Sequence, residues 1–413
     1  MRAVASIESR YGWFVVAAST LMIATAFGAS YVVVVGLKPI AAEFGWPRQI
    51  PSAAYALAML GAGFGGIAMG FWSDRSGMGG PAHVGALMIG LGAIAVGYAQ
   101  GIYGFLAAHL LLIGFLGNGA MFSPMVSNIT RWFDRRRGIA VAIVASGQSL
   151  AGAFWPKIFD HTITVYGWRE TMIGYGAFAI AVLLPLSFVL RRRPPGMLRI
   201  GDIGEPGRVD DKGQLLGLRP NTVHLLLCLA IVGCCIAMSM PMVHIVAHCS
   251  DLGFDPRRGA DLLAILLFCA FLSRICYGWL ADKLGGLPTL LIGCSLQLIG
   301  LALFSTVDSL EALYAVSVFY GLGYGGIVPM YALIVRELFP QRQLGWRVGV
   351  IFLFGTTGMA IGGYLGGLIF DLSGSYGMAF LAGMLSNLFN VAILAALVWR
   401  SQDNDPALAG APA

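Results

Sequence analysis

Charged side chains are scarce in this chain, where they make up 11% of 413 residues. A soluble globular domain carries about 25% charged residues, so the composition excludes that class. The sequence also lacks paired carboxylates, a nucleophile triad and any His or Cys spacing typical of a metal site, so we expect neither an enzyme nor a bound cofactor. The seven cysteines lie almost entirely within apolar runs and are expected to pack as small hydrophobic groups.

Long apolar runs are abundant instead, since 58% of the residues are hydrophobic and the mean hydropathy is +0.78. A helix of about 20 apolar residues crosses the ~30 Å hydrocarbon core of a bilayer. Twelve runs of this kind predict an all-α membrane protein with twelve transmembrane helices. The predicted spans are 11–35, 52–72, 84–98, 102–128, 139–159, 171–190, 222–247, 262–280, 287–305, 310–335, 348–370 and 378–399.

The two halves of the chain repeat each other. GFWSDRSG at 70–77 matches GWLADKLG at 278–285 with an offset of 208, and GNGAMF at 117–122 matches GYGGIV at 323–328 with an offset of 206. Such a duplication predicts two pseudo-symmetric six-helix bundles, an arrangement that transporters use for alternating access. We expect bundles at 1–190 and 221–400, a polar inter-domain loop at 191–220 and a tail at 401–413.

The basic residues lie in loops between the spans and not on a patch with interleaved aromatics, so the net charge of +6 does not indicate a nucleic-acid partner. With both termini and the central loop on one side, that side holds 19 Lys and Arg and the other holds 6. The positive-inside rule makes the richer side cytoplasmic. Short termini and loops favour a bacterial inner membrane, and we expect a monomer within the lipid bilayer.

Arg274 is the only Lys or Arg well inside an uninterrupted apolar stretch. A charge near the bilayer centre costs roughly 2.5 to 3.5 kcal/mol by insertion scales, so it is retained for a partner or a function. Asp282 marks the cytoplasmic end of this helix, and eight residues at a rise of about 1.5 Å place Arg274 about 12 Å inside. An anionic substrate would be a suitable partner. A backbone carbonyl or an acidic side chain is the structural alternative.

Other polar side chains at mid-span depth must also find partners, because hydrocarbon offers none. Each can bond to a neighbouring helix or to a substrate, and the sequence leaves both alternatives open. Asn118 and Tyr324 are equivalent in the repeat, which favours a binding role, and Tyr331 lies two turns from Tyr324 on the same face. The candidates for substrate contact are Arg274, Asn118, Ser146, Gln148, Tyr324, Tyr331, His244 and Asn387, with Phe122 and Met240 enclosing the apolar part.

His244 follows Pro241 in the seventh predicted span, where the proline removes a helix hydrogen bond and favours a flexible gate. Histidine titrates near neutral pH, so His244 is a candidate for proton binding on the outer side, together with Asp251 about two turns further along. Asp261, near the start of the next span, competes for the acidic role. An ordinary interfacial histidine would fit the same pattern.

Two levels of family resemblance follow from these motifs. Gly70, Asp74, Arg75 and Gly77 after the second span are echoed by Gly278, Asp282, Lys283 and Gly285 in the second half. Together with the twelve spans and the repeat, this pattern resembles the major facilitator superfamily. Four segments resemble its monocarboxylate transporter branch, including bacterial monocarboxylate–proton symporters: YGWFVVAAS, RWFDRRRGIAVAIVASGQSLAGAF, YGWRETMIGYGAF and LSRICYGWLADKLG.

The resemblance implies transport of a small monocarboxylate such as lactate or pyruvate, together with a proton, and it implies that Arg274 meets the carboxylate. Animal members of the branch carry an Asp one helical turn before this arginine, where the present chain has Ala270. The family's proton-coupling group therefore cannot be carried over to this chain. The resemblance further implies gating contacts at the cytoplasmic ends of the two halves, made by Asp74 with Arg75 and by Asp282 with Lys283.

Two alternatives to proton-coupled monocarboxylate transport are considered. The same fold could serve an organic anion exchanger or a drug exporter without proton coupling. A non-transporting sensor is disfavoured, because the central loop of about 30 residues is too short for a folded domain.

Overall fold

The computed structural model describes residues 9–129, 131–133, 136–194, 214–340 and 343–404, with all side chains except those at positions 74, 137, 138, 275, 282, 344, 345, 403 and 404. Within this part of the chain, twelve helices are long and apolar enough to cross a membrane. The prediction of twelve spans is confirmed. They are numbered span 1 to span 12 in chain order.

The chain divides into two compact units, Met1–Asp202 and Ile203–Ala413. The N-terminal unit contains spans 1 to 6, which are Arg10–Val35, Gln49–Ser73, Gly79–Gly97, Ile102–Ile129, Ile139–Tyr166 and Trp168–Val189. The C-terminal unit contains spans 7 to 12, which are Pro220–Asp251, Pro256–Ala281, Gly286–Phe304, Leu310–Leu338, Trp346–Ser373 and Tyr376–Gln402. The division into bundles, loop and tail stays a prediction, and its positions 195–213 and 405–413 lie outside the described residues.

Span 1 is interrupted at Phe27, between the helices Arg10–Ala26 and Gly28–Val35. Two aromatic side chains of the same unit donate to carbonyl groups next to this interruption. Trp155 Nε1 donates to Ala24 O over 2.8 Å, and the Tyr175 hydroxyl donates to Thr25 O. Because a helix end leaves carbonyl groups without intrahelical partners, these side chains compensate for the interruption.

Spans 4 and 10, which correspond in the repeat, are both interrupted near their middle. Span 4 contains a π-helical stretch, Ala108–Asn118, and bends at Phe122, between the helices Gly119–Met121 and Ser123–Ile129, although Phe122 N still donates to Asn118 O over 3.3 Å. Span 10 consists of Leu310–Tyr324 and Ile327–Leu338, joined by a turn at Gly325–Gly326. A proline follows each interruption, at 124 and 329, and each removes one backbone N–H from its helix.

Candidate functional site

Arg274 is anchored to the interruption of span 10. Its Nε atom donates a hydrogen bond of 3.2 Å to the carbonyl oxygen of Gly325. In an uninterrupted helix, that oxygen would accept from the N–H of residue 329, but residue 329 is proline and has none. Arg274 therefore supplies the hydrogen-bond donor that the Gly325 carbonyl would otherwise lack. A guanidinium carries five N–H donors, so this bond to a carbonyl is compatible with substrate binding by the same side chain.

Close backbone contact between spans 8 and 10 fixes this geometry. A Cβ atom at Gly325 would lie 2.1 Å from the carbonyl oxygen of Ala270, and one at Gly326 would lie 2.0 Å from Cγ of Tyr277. The Tyr277 hydroxyl donates to the carbonyl of Gly323. Only glycine permits such an approach, so the position of the Gly325 carbonyl beside Arg274 is set by backbone contact.

Tyr324, a predicted substrate contact, is the last residue of the helix before the turn. It is buried, its ring packs on Tyr320 with centroids 5.4 Å apart, and Arg274 interacts with it electrostatically. The structure thus brings together two of the candidate residues of spans 8 and 10, Arg274 and Tyr324. A guanidinium and a phenol hydroxyl can both donate to one carboxylate.

Tyr331 and Asn387 belong to a buried hydrogen-bond network among spans 9, 10 and 12. The Tyr331 hydroxyl donates to Asn390 Oδ1 over 3.2 Å, and Asn390 Nδ2 donates to Asn387 Oδ1 over 2.8 Å. Asn387 Nδ2 donates to the carbonyl of Cys294 over 2.9 Å. These are the helix-to-helix bonds that the sequence left open as the alternative to substrate contact. Asn390 went unrecognised, although it lies one turn after Asn387.

Met240 and His244 pack inside the C-terminal unit against spans 11 and 12. His244 Nε2 is 3.0 Å from the carbonyl oxygen of Gly363, and its ring stacks on Tyr376 with centroids 5.1 Å apart. Both residues are fully buried, and a Cβ at Gly366 would lie within 3.2 Å of either side chain. The structure therefore gives Met240 and His244 packing partners in the helix bundle.

His248 is a titratable residue near this point that the sequence reading missed. It is buried one turn after His244, and its ring is edge-on to Tyr376 and Phe380. Asp251 and Asp308 interact with it electrostatically. Two histidines four residues apart on one apolar helix lie on the same face, and this spacing was the signal available in the sequence.

The remaining two proton candidates differ in exposure. Asp251 is exposed at the end of span 7, whereas Asp261 is half-buried in span 8. Among the residues that the structure describes, no three His, Cys, Asp or Glu side chains converge as metal ligands.

Asn118 is the most conspicuous polar residue of the N-terminal unit. It is 1% exposed, and neither its Oδ1 nor its Nδ2 atom has a hydrogen-bond partner among the described residues. Each unsatisfied buried polar atom lowers the stability of the folded protein by about 1 to 3 kcal/mol, so the Asn118 amide is destabilising unless it binds a partner such as a substrate. Four residues later, Phe122 lies at the interruption of span 4, with its ring edge-on to Phe27 at the interruption of span 1.

Ser146 and Gln148 lie in span 5 of the same unit. Ser146 donates to the carbonyl of Ala142 over 2.7 Å, a bond within its own helix, and Gln148 is half-buried. Between them, Gly147 brings the helix close to span 1, since a Cβ there would lie 2.6 Å from the carbonyl oxygen of Thr20. Ser146 is thus satisfied by its own helix, and Gln148 stays a predicted substrate ligand.

The structure describes the side chains of two of the four predicted gating residues. Arg75 and Lys283 are exposed, and Lys283 Nζ lies 4.0 Å from the ring centroid of Trp279. The side chains of Asp74 and Asp282 lie outside the described part of the structure. The gating contacts stay a prediction.

Comparison with known families gives a match over nearly the whole chain. Residues 17–307 and 225–413 match the family model described as Major Facilitator Superfamily. Monocarboxylate transporter 13 of Bos taurus is 25% identical over 379 residues, which cover 90% of this chain and 86% of that protein. MFS-type transporter pynF of Aspergillus niger is 26% identical over 307 residues, which cover 73% of this chain and 68% of that protein.

Solved structures show the same fold. A POT family transporter in complex with 5-aminolevulinic acid has a TM-score of 0.73 at 13% identity, with coverage of 95% of this chain and 96% of that chain. A bacterial homolog of the human lysosomal transporter Spinster, inward-facing and occupied, has a TM-score of 0.68 at 16% identity, with coverage of 98% and 100%. At these identities the likeness concerns the fold alone.

Proposed function

This chain belongs to the Major Facilitator Superfamily, and we propose that it transports a small monocarboxylate together with a proton by alternating access. It is an integral membrane protein and a membrane transporter of that family, and its twelve-span all-helical fold is the one that the sequence predicts. The substrate, the coupling to protons, the bacterial inner membrane and the cytoplasmic termini belong to the proposal.

The position of Arg274 carries the proposal. A permanent cation in the eighth span is held at a defined place by the Gly325 carbonyl and lies beside Tyr324. In the proposed transporter, the Arg274 guanidinium binds the substrate carboxylate through charge-assisted hydrogen bonds, and the Tyr324 hydroxyl donates a further, neutral hydrogen bond to it. The 25% identity to a monocarboxylate transporter supports the same substrate class.

Asn118 is the substrate ligand that we propose for the N-terminal unit. Its amide offers two donors and an acceptor without a partner among the described residues, so it suits the hydroxyl or keto group of a lactate-like or pyruvate-like molecule. Phe122, one turn after Asn118, and Gln148 in span 5 are the other candidates in this unit.

Radiolabelled L-lactate and pyruvate uptake into proteoliposomes under an inward proton gradient tests the function. We expect gradient-driven uptake by the wild type and its loss in Arg274→Gln, because glutamine has neither the charge nor the guanidinium fork. Arg274→Lys should also be impaired, since an ammonium cannot reproduce the planar fork. Arg257→Gln is the matched control, because Arg257 is exposed near the start of the same helix. Uptake by Arg274→Gln at the wild-type rate would exclude the proposed site.

The proton-coupling group is tested separately. We propose the buried pair His244 and His248, since Ala270 occupies the acidic position of the animal transporters. His248→Gln should lose accumulation driven by the proton gradient but retain exchange of labelled for unlabelled substrate, because exchange needs no net proton movement. His161→Gln, at an exposed position of span 5, is the control. Normal accumulation by both His244→Gln and His248→Gln would move the coupling role to Asp251 or Asp261.

Exchange or export of organic anions without proton coupling is the second candidate function, and Ala270 is the observation that favours it. An exchanger would take up substrate independently of the proton gradient and faster into vesicles preloaded with the same acid. A proton symporter would respond to the gradient in empty vesicles.

A further inference from the structure

The C-terminal unit contains a second basic site, at the end of the helices that the charge distribution makes cytoplasmic. A cavity of about 690 Å³ lies between the start of span 7, the end of span 10 and the start of span 11. Arg219 and Arg347 line it, together with Asn221, Thr222 and Gln343. No carboxylate is among the described residues that line it.

Arg347 is held rigidly in the wall of this cavity. Its guanidinium lies over the rings of Phe339 and Trp346, 4.2 Å and 4.4 Å from their centroids. Nε donates to Gln343 Oε1 and Nη2 donates to Asn221 Oδ1, both over 3.0 Å. The two aromatic contacts therefore hold the plane of the guanidinium, and the two hydrogen bonds fix its orientation within that plane.

The third nitrogen of this group lacks a partner. Nη1 of Arg347 is buried without a hydrogen bond to any residue in the described part of the chain, and the whole residue is only 3% exposed. Burying one of its N–H donors without a partner is costly, because that N–H loses its hydration without gaining a hydrogen bond. Because Arg347 lines the cavity, an anion bound there would lie beside this guanidinium and offset part of that cost.

Helix geometry adds to the positive potential. The helices Pro220–Asp251 and Leu344–Ser373 both begin at the cavity, and their N-termini carry the positive ends of the helix dipoles. Arg219 precedes the first of them and is exposed, so it can turn toward an anion in the cavity. Two arginines and two helix N-termini around one space suit a group with several negatively charged oxygens, such as a phosphate.

We propose that this cavity binds a phosphate group, and that the phosphate belongs to the head group of an anionic phospholipid. The apolar part of the lining favours a lipid over a free phosphate. Leu215, Leu338 and Phe339 line the cavity beside the arginines, and the lining residue Leu225 is 52% exposed, a surface suited to an acyl chain. Basic pockets at the cytoplasmic ends of membrane helices bind lipid head groups in this way. The site is independent of the transport function proposed above.

Thermal unfolding of the purified full-length protein in mixed micelles tests the proposal, with retained lipid counted by native mass spectrometry. The probes are phosphatidylglycerol, phosphatidylcholine and inorganic phosphate, each titrated separately. We expect phosphatidylglycerol to raise the unfolding midpoint of the wild type more than phosphatidylcholine does. Arg219→Gln and Arg347→Gln should each weaken the apparent affinity by roughly 10-fold or more, because each removes a charge-assisted hydrogen bond.

Arg336→Gln is the matched control, since Arg336 is exposed near the end of span 10 and does not line the cavity. Arg219→Gln keeps the test valid if Arg347→Gln fails to fold, because Arg219 is exposed. Inorganic phosphate could instead stabilise the wild type but neither Arg219→Gln nor Arg347→Gln. That result would show that the cavity binds phosphate, but that its ligand is soluble and not a lipid. Equal stabilisation by the two lipids, or an equal loss in Arg336→Gln, would overturn the proposal.

Discussion

Gly325→Ala is the most direct test of the anchored arginine. The new Cβ would lie 2.1 Å from the carbonyl oxygen of Ala270, and real Cβ contacts are essentially never shorter than 3.0 Å. The backbones of spans 8 and 10 must therefore separate by about 0.9 Å at this point. The Arg274 Nε to Gly325 O bond, already 3.2 Å long, does not survive such a displacement.

The expected magnitude has two parts. Overpacking a tight contact costs about 1 to 3 kcal/mol, and for a domain of this size each kcal/mol lowers the unfolding midpoint by about 2 to 4 °C. We therefore expect a midpoint about 2 to 12 °C below that of the wild type. Losing a hydrogen bond to a charged group costs about 1.5 to 3 kcal/mol, so the substrate concentration at half-maximal uptake should rise roughly 10- to 150-fold if the guanidinium loses its binding position.

The assay pairs thermal unfolding in detergent with uptake into proteoliposomes. Gly349→Ala is the matched control, because a Cβ there has nothing within 4 Å, and alanine in a helix is at least as stable as glycine. Wild-type stability and uptake in Gly325→Ala would refute the role of backbone contact in placing Arg274. A loss of stability with unchanged substrate affinity would separate the packing of span 10 from the binding site.

Three further predictions concern other residues. Pro329→Ala restores the N–H that a helix would offer to Gly325 O, so the unfolding midpoint should rise while substrate affinity falls; a fall in both would contradict this account. Asn118→Leu removes an unpartnered buried amide and should leave the midpoint unchanged or higher while uptake falls at least 10-fold, whereas unchanged uptake would assign Asn118 to packing. Glu43 accepts from Arg169 Nε over 2.6 Å and from Trp168 Nε1 over 2.5 Å, but its side chain is 44% exposed. Glu43→Gln should therefore lower the free energy of unfolding by only about 0.2 to 1 kcal/mol relative to the control Glu170→Gln. A larger loss would show that the ion pair of Glu43 and Arg169 is effectively buried.

The amino-acid sequence by itself determined the twelve spans and the internal repeat, and it predicted a substrate-binding role for Arg274. Each of these depends on local composition or on self-similarity, because length and hydropathy decide whether a segment can cross a bilayer. The interruption of span 10 was also visible in principle, since Gly325, Gly326 and Pro329 remove the side chains and the N–H group that a regular helix would use.

Only the tertiary structure decided which partner each buried polar group finds. Tyr331 and Asn387 look like Tyr324 and Asn118 in a hydropathy pattern, yet the first two bond to other helices while Asn118 has no partner among the described residues. Arg347 looks like an ordinary charge at the end of a span, but Phe339, Trp346 and Asn221 enclose it. Helix–helix contact sets the pairings of Tyr331, Asn387 and Arg347 with Asn390, Cys294 and Asn221 over sequence separations of 59, 93 and 126 residues. The identity of a residue and its neighbours in the chain cannot specify them.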